Sequence, residues 1–225
     1  ATTLNSVTVT GNTGADVVQL STALTSSDKV TIDFVSDNAT DKLIFNIQNG
    51  SNWLTYDSNG TVVSSGGAPT AFTFNKFSNF DLASGEDQFG IFNDGINATR
   101  AFREITEITF APAYRLTDGV IYEDTFNSEG DLLTSYALSA ANIRSNIQSF
   151  INIGGTGTAT SIGSDGLDFT YVLYARSSAT EDTDSVQSAY IYAGNYSGQS
   201  ESNNSFDATK LRVIGLAEVV GVTEG

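Results

Sequence analysis

Hydrophobic and polar positions alternate along much of this chain. Val30, Ile32 and Phe34 are interleaved with Thr31 and Asp33, and Leu43, Phe45 and Ile47 with Ile44 and Asn46. Phe72 and Phe74 flank Thr73 in the same way. Successive side chains of a strand point to opposite faces, so a period of two predicts half-buried strands. Three later stretches break the alternation. FTYVLYA (169–175), AYIYA (189–193) and LRVIGL (211–216) are apolar at nearly every position. Runs of that kind are expected in the centre of a sheet covered on both faces.

Turn and helix signals complete the pattern. In WLTYDSNGTVVSS, Asn59-Gly60 separates two β-prone runs, a strong hairpin signal because both residues accept positive φ. In LSAANIRSNIQSFINIGG, Ile143, Ile147, Phe150 and Ile151 fall on one helical stripe. Ser139 is placed to cap that helix, Leu138 to staple onto Ile143, and Gly154-Gly155 to stop it. These elements predict a mainly β fold, a sandwich or jelly-roll-like pair of sheets with one covering helix at about 139–151. The 225 residues read as a single β-rich unit, with a division near 111–118 where the helix-containing half begins.

An internal echo runs through the first half. DFVSDNATDKLIF (33–45) and NFDLASGEDQFGI (79–91) align Phe34 with Phe80, Asp41 with Asp87 and Leu43 with Phe89. Two copies fall short of the three or so repeats that a solenoid needs. Two similar strand–loop–strand units in one sheet therefore account for the echo as well as a duplication does.

Composition narrows the chemistry. The chain has no Cys, His or Met, which removes thiol and imidazole catalysis and the usual zinc and haem ligands. No G-x-S-x-G or phosphate-loop pattern occurs, so an enzyme is not expected. A carboxylate-based polysaccharide-active enzyme is kept only as an outside reading. The net charge is −16, from 26 acids and 10 scattered bases. Counterion release on nucleic acid needs clustered Lys and Arg, so neither nucleic acid nor an anionic membrane surface is an expected partner. No apolar run reaches the roughly 18 residues of a membrane span, and no insertion is expected.

Candidate ligand positions lie in the loops. Residues 11–19, GNTGADVVQ, differ from the calcium β-roll nonapeptide G-G-x-G-x-D-x-U-x only in having Asn12 at the second glycine. Asp16 would supply carboxylate oxygen to calcium, with Asn12 beside it. Asp182 and Asp184 in SATEDTDSVQ form a second candidate pair, since carboxylates two apart can share a calcium shell. Calcium sits between successive β-roll turns, and no second nonapeptide adjoins the first, so a plain turn is the simpler reading of residues 11–19. Tyr190, Tyr192 and Tyr196 could stack on sugars, with strand packing as the default. Sequons such as Asn38-Ala39-Thr40 and Asn195-Tyr196-Ser197 follow from a composition rich in Asn, Ser and Thr and carry little weight.

Several of these stretches share a resemblance. DKVTIDFVSDNATDKLIFN and FSNFDLASGEDQFGIFN are similar to the capping element that follows β-roll repeats in type I-secreted RTX proteins of bacteria. WLTYDSNGTV resembles the aromatic-Asp-x-Asn-Gly hairpins of those chains, and residues 169–216 resemble their C-terminal strand pairs. The resemblance implies one-step export guided by an uncleaved C-terminal signal, and life outside the cell. The expectation for function is a secreted, non-enzymatic structural protein, calcium-stabilised, that self-assembles at the cell surface as a layer or filament. Its partner would be itself, joined through β-edges with residues 4–10 as the donated strand. The alternative is an adhesin or ligand-binding module that recognises glycans.

Overall fold

The computed structural model describes residues 6–21, 29–35, 37, 39–47, 53–63, 71–79, 87–93, 98–99, 120–124, 134–152, 167–175, 187–197 and 206–222. Phe80, residues 111–118, Gly154-Gly155, Asp182 and Asp184 lie outside them. The fold is mainly β, with helix laid over one sheet face.

The first half is wound from three coils. Strands β1 (Ser6–Thr10), β3 (Lys29–Asp33) and β6 (Asn75–Ser78) pair side by side in parallel. In a second sheet β2 (Val17–Ser21), β4 (Lys42–Ile47) and β7 (Gln88–Asn93) do the same. The chain thus passes from one sheet to the other and back, and each pass stacks on the last. The echo between 33–45 and 79–91 is this stacking, since Leu43 pairs with Phe89. Residues 6–21 are the third copy, and the copies span two sheets where one was expected. Parallel pairing also differs from the antiparallel ladders of a jelly roll. Alternation specifies which face a residue takes; it does not specify the neighbouring strand or its direction.

A hairpin interrupts the coils. β5 (Leu54–Thr55) leads into a turn closed by the Tyr56–Val62 bridge, with Asn59-Gly60 at its tip as expected. The Asp57 carboxylate accepts the N–H groups of Asn59 and Thr61, and Gly60 takes φ +75°. Phe72 and Phe74 are buried, but they precede β6 and do not lie in a ladder.

In the second half β10 (Leu167–Ala175), β11 (Gln187–Tyr196) and β12 (Leu211–Val222) form an antiparallel run. It joins the coils where β12 pairs in parallel with β6, and β9 (Val120–Asp124) pairs with β10 at the far side. β8 (Ala98–Thr99) pairs antiparallel with β7. As their apolar runs predict, β10 to β12 are covered on both faces. Val172, Ile191, Ala193 and Leu216 share a core with Ile32, Phe34, Leu43, Phe45 and Phe77, which joins the two sheets. Tyr171, Leu173, Tyr190, Tyr192 and Val213 face the helix and the hairpin.

A bulge reconciles the faces of β12. Ile191 pairs with Ala217 while Tyr192 pairs with Gly215, leaving Leu216 without a partner position. The extra residue lets Leu216 and Ala217 both enter the inter-sheet core. On the other side of β12, the Leu216 carbonyl accepts from Asn75 Nδ2 of β6 at 3.2 Å.

The helical cover consists of α1 (Thr134–Ala137) and α2 (Ala140–Asn152). Ser139 Oγ accepts the Asn142 N–H, which is the expected cap. Ile143 and Ile147 are fully buried, each contributing about 1.5–3 kcal/mol relative to exposure. Leu138 is 42% exposed, and the Ala137 methyl is the buried group at this junction, so the expected staple is not made. Buried tyrosines fix the cover from below. Tyr192 donates to the Ala137 carbonyl at 2.6 Å and Tyr56 to the Ala140 carbonyl at 3.1 Å.

Candidate functional site

The turns between the coil strands bring Asp16, Asp37, Asp41 and Asp87 into one stack. Asp16, Asp41 and Asp87 each stand immediately before the second strand of their coil. Asp41 Oδ1 accepts the Asp16 N–H at 2.8 Å, and Asp87 Oδ1 accepts the Asp41 N–H at 2.7 Å. Each carboxylate therefore holds the backbone of the coil before it. Asp37 adds a second link of the same kind, accepting from Gly14 N–H at 2.6 Å and from Ala39 N–H in its own loop. A charged acceptor makes such bonds about twice as strong as neutral ones.

Asp16 itself has no earlier coil to hold among the described residues. Its carboxylate turns back onto its own loop, where Asn12 N donates at 3.0 Å and Asn12 Nδ2 at 3.4 Å. The two glycines of the motif have separate roles. Gly14 takes φ +121°, which disfavours any L side chain. At Gly11 a Cβ would lie 2.5 Å from Asp16 Oδ2, so that position must be bare for the carboxylate to fold back.

Electrostatics follows from this packing. Asp41 is 3% exposed, and burial raises its pKa above the ordinary 3.8. The Asp16 N–H bond opposes that rise, while the charges of Asp87, Asp16 and Asp37 add to it. Exposed Asp37 moves the other way, lowered by the Ala39 and Gly14 amides.

Of the expected calcium ligands, Asn12 and Asp16 come together, and Asp182 and Asp184 lie outside the described residues. Among the described residues no three acidic side chains converge closely enough to hold a metal ion. Sequence reasoning missed Asp41, Asp87 and Asp37 as members of the same stack, although the 41/87 alignment was its visible trace.

The three candidate tyrosines offer no sugar platform. Tyr190, Tyr192 and Tyr196 are buried, and burial raises the Tyr192 hydroxyl's pKa well above the ordinary value. The Asn195 side chain is buried too, with its Oδ1 accepting from Arg212 Nε, which shields that sequon. No helix among the described residues is long and apolar enough to cross a membrane. Comparison with known proteins finds no matching family model, curated protein or solved structure.

Proposed function

We propose that this chain is a secreted, non-enzymatic structural protein that self-assembles at the cell surface as a layer or filament. The observation that supports the reading most is how the polar groups are used. Asp16, Asp37, Asp41 and Asp87 accept backbone N–H groups between or within coils, and Tyr56 and Tyr192 hold the helix. These groups serve the scaffold. The absence of Cys and His from the sequence points the same way.

Assembly through β-edges fits the roll, with one change. Residues 6–10 pair in register with β3, so donating that strand would first break its own ladder. Joining through its outer edge needs no such step. Calcium belongs to the reading as a stabiliser of the acidic loops, with Asn12, Asp16, Asp182 and Asp184 as ligands. A melting temperature that rises in millimolar calcium and falls with chelator supports that role. A melt indifferent to both removes calcium.

The glycan-binding alternative lacks a platform at the three buried tyrosines. Ordered polymers seen by electron microscopy without added ligand support the structural reading. Glycan-array binding by a protein that stays monomeric would replace it with the adhesin.

A further inference from the structure

We propose that the open end of the roll, formed by the outer edges of β1 and β2, is a contact face for a second copy of this chain. The proposal rests on the self-assembly reading and names its face. Among the described residues β1 pairs only with β3, and β2 only with β4. Among the described residues each therefore leaves one row of backbone donors and acceptors without a strand partner, at the same end of the stack. At the other end, β6 is continued by β12 and β7 by β8.

The two edge strands and the turn between them lack the side chains that most often keep sheet edges apart. Residues 6–21 hold no Lys, Pro or Arg, and monomeric β-proteins commonly use Lys and Pro to blunt such edges. Apolar surface is concentrated here as well. Val9 is 43% and Val17 61% exposed, two of the three large hydrophobic side chains exposed among the described residues.

Charge selects the occupant. At −16, two copies repel over most of their surface. The end coil carries a single charged residue, Asp16, whose carboxylate is already engaged by Asn12. Two copies meeting on this coil therefore bring little like charge together. A two-fold contact sets β1 antiparallel to its own copy and β2 to its own copy, which satisfies both edges with one operation. Antiparallel pairing also places the two Asp16 turns at opposite ends of a five-residue strand. That separates them by roughly 17 Å, about twice the Debye length of ~8 Å at physiological ionic strength.

The test is sedimentation velocity over a concentration series, comparing the parent chain with Val9→Lys/Val17→Lys and with Leu138→Lys. Both valines are exposed, so the double variant should keep the parent circular dichroism spectrum. It is expected to weaken dimerisation by on the order of 100-fold, because the lysine ammonium groups would be carried into a contact that otherwise joins apolar side chains and backbone edges. Leu138→Lys, the control at the third exposed hydrophobic side chain, should dimerise like the parent. Should the double variant misfold, Thr8→Cys replaces it. With no native cysteine, that variant should give a disulfide-linked dimer on oxidation, while Leu138→Cys should not. A parent oligomer that survives Val9→Lys/Val17→Lys, or a Thr8→Cys protein that does not crosslink, overturns the end-face contact and leaves self-assembly standing. A parent that is monomeric throughout overturns both.

Discussion

The two halves of this molecule solve the same problem by different means. Each must fix a β-sheet against something, and the second half does it with apolar mass. β10 to β12 have both faces covered, Ile143 and Ile147 lie fully buried in the helix contact, and Tyr192 is both a packed ring and a tether to Ala137. Phe72 and Phe74 meet the Tyr192 ring edge-on at 5.1 and 5.3 Å. In the coils, carboxylate-to-backbone bonds at Asp37, Asp41 and Asp87 do much of the joining at the turns. Hydrophobic burial is non-directional and sums over area. Charged hydrogen bonds are directional and depend on pH. The difference implies a stable half that anchors the structure and an adjustable half that ends in open edges.

The largest effect is expected where area and tether coincide. Tyr192→Ala should cost about 3–5 kcal/mol, the range for deleting a buried aromatic ring. Thermal or denaturant unfolding measures it. A loss below about 1 kcal/mol would mean that the helix is not held through this ring. Gly14→Ala comes next, because the new side chain must adopt φ near +121°. A cost of about 1–3 kcal/mol is expected, and an unchanged melt would place the strain elsewhere. Tyr192→Phe isolates the tether. It keeps the ring and strands the Ala137 carbonyl, for an expected loss of about 1–2 kcal/mol.

The smallest effect is the most specific to the coils. Asp41→Asn keeps an acceptor for the Asp16 N–H and removes a charge crowded by Asp87, Asp16 and Asp37. The native Asp41 binds its proton more tightly folded than unfolded. Stability from this group therefore rises as pH falls through its raised pKa, and the gain is complete below the ordinary 3.8. Asp41→Asn should melt slightly higher than the parent at pH 7, by less than about 1 kcal/mol. The gap should close on acidification towards pH 3.8. Further acid acts in the opposite direction. Asp207, lowered by the Thr209 hydroxyl and amide, and Asp37 lose their contribution as pH falls through their depressed values. A melting profile with no such reversal would contradict the stacked carboxylates.

Much of the second half was legible in sequence. Runs apolar on both faces identified β10 to β12 as central, and Ser139 marked the helix start. Burial at each residue follows from local pattern, so pattern could find it. The coil stack was harder for a physical reason. Its turns recur at separations of 25 residues between Asp16 and Asp41 and 46 between Asp41 and Asp87. The hairpin at Tyr56–Val62 lies in the longer interval and destroys a fixed period. Residues 11–19 therefore looked isolated, although their neighbours are present in space. The Leu216 bulge left no local mark, because a one-residue insertion in a stretch apolar on both faces (Val213–Ala217) changes no visible alternation. Leu138 misled for the opposite reason. Its spacing suits a staple, but Ala137 is the residue turned inward.

Native-state amide hydrogen exchange at low and high protein concentration would test the contrast between the halves, and the assembly it implies, most directly. On raising the concentration, amides of β1 and β2 should gain protection, while those of residues 189–193 stay as they were. Protection gained along β10 to β12 instead, or nowhere at all, would contradict assembly through the open end of the roll.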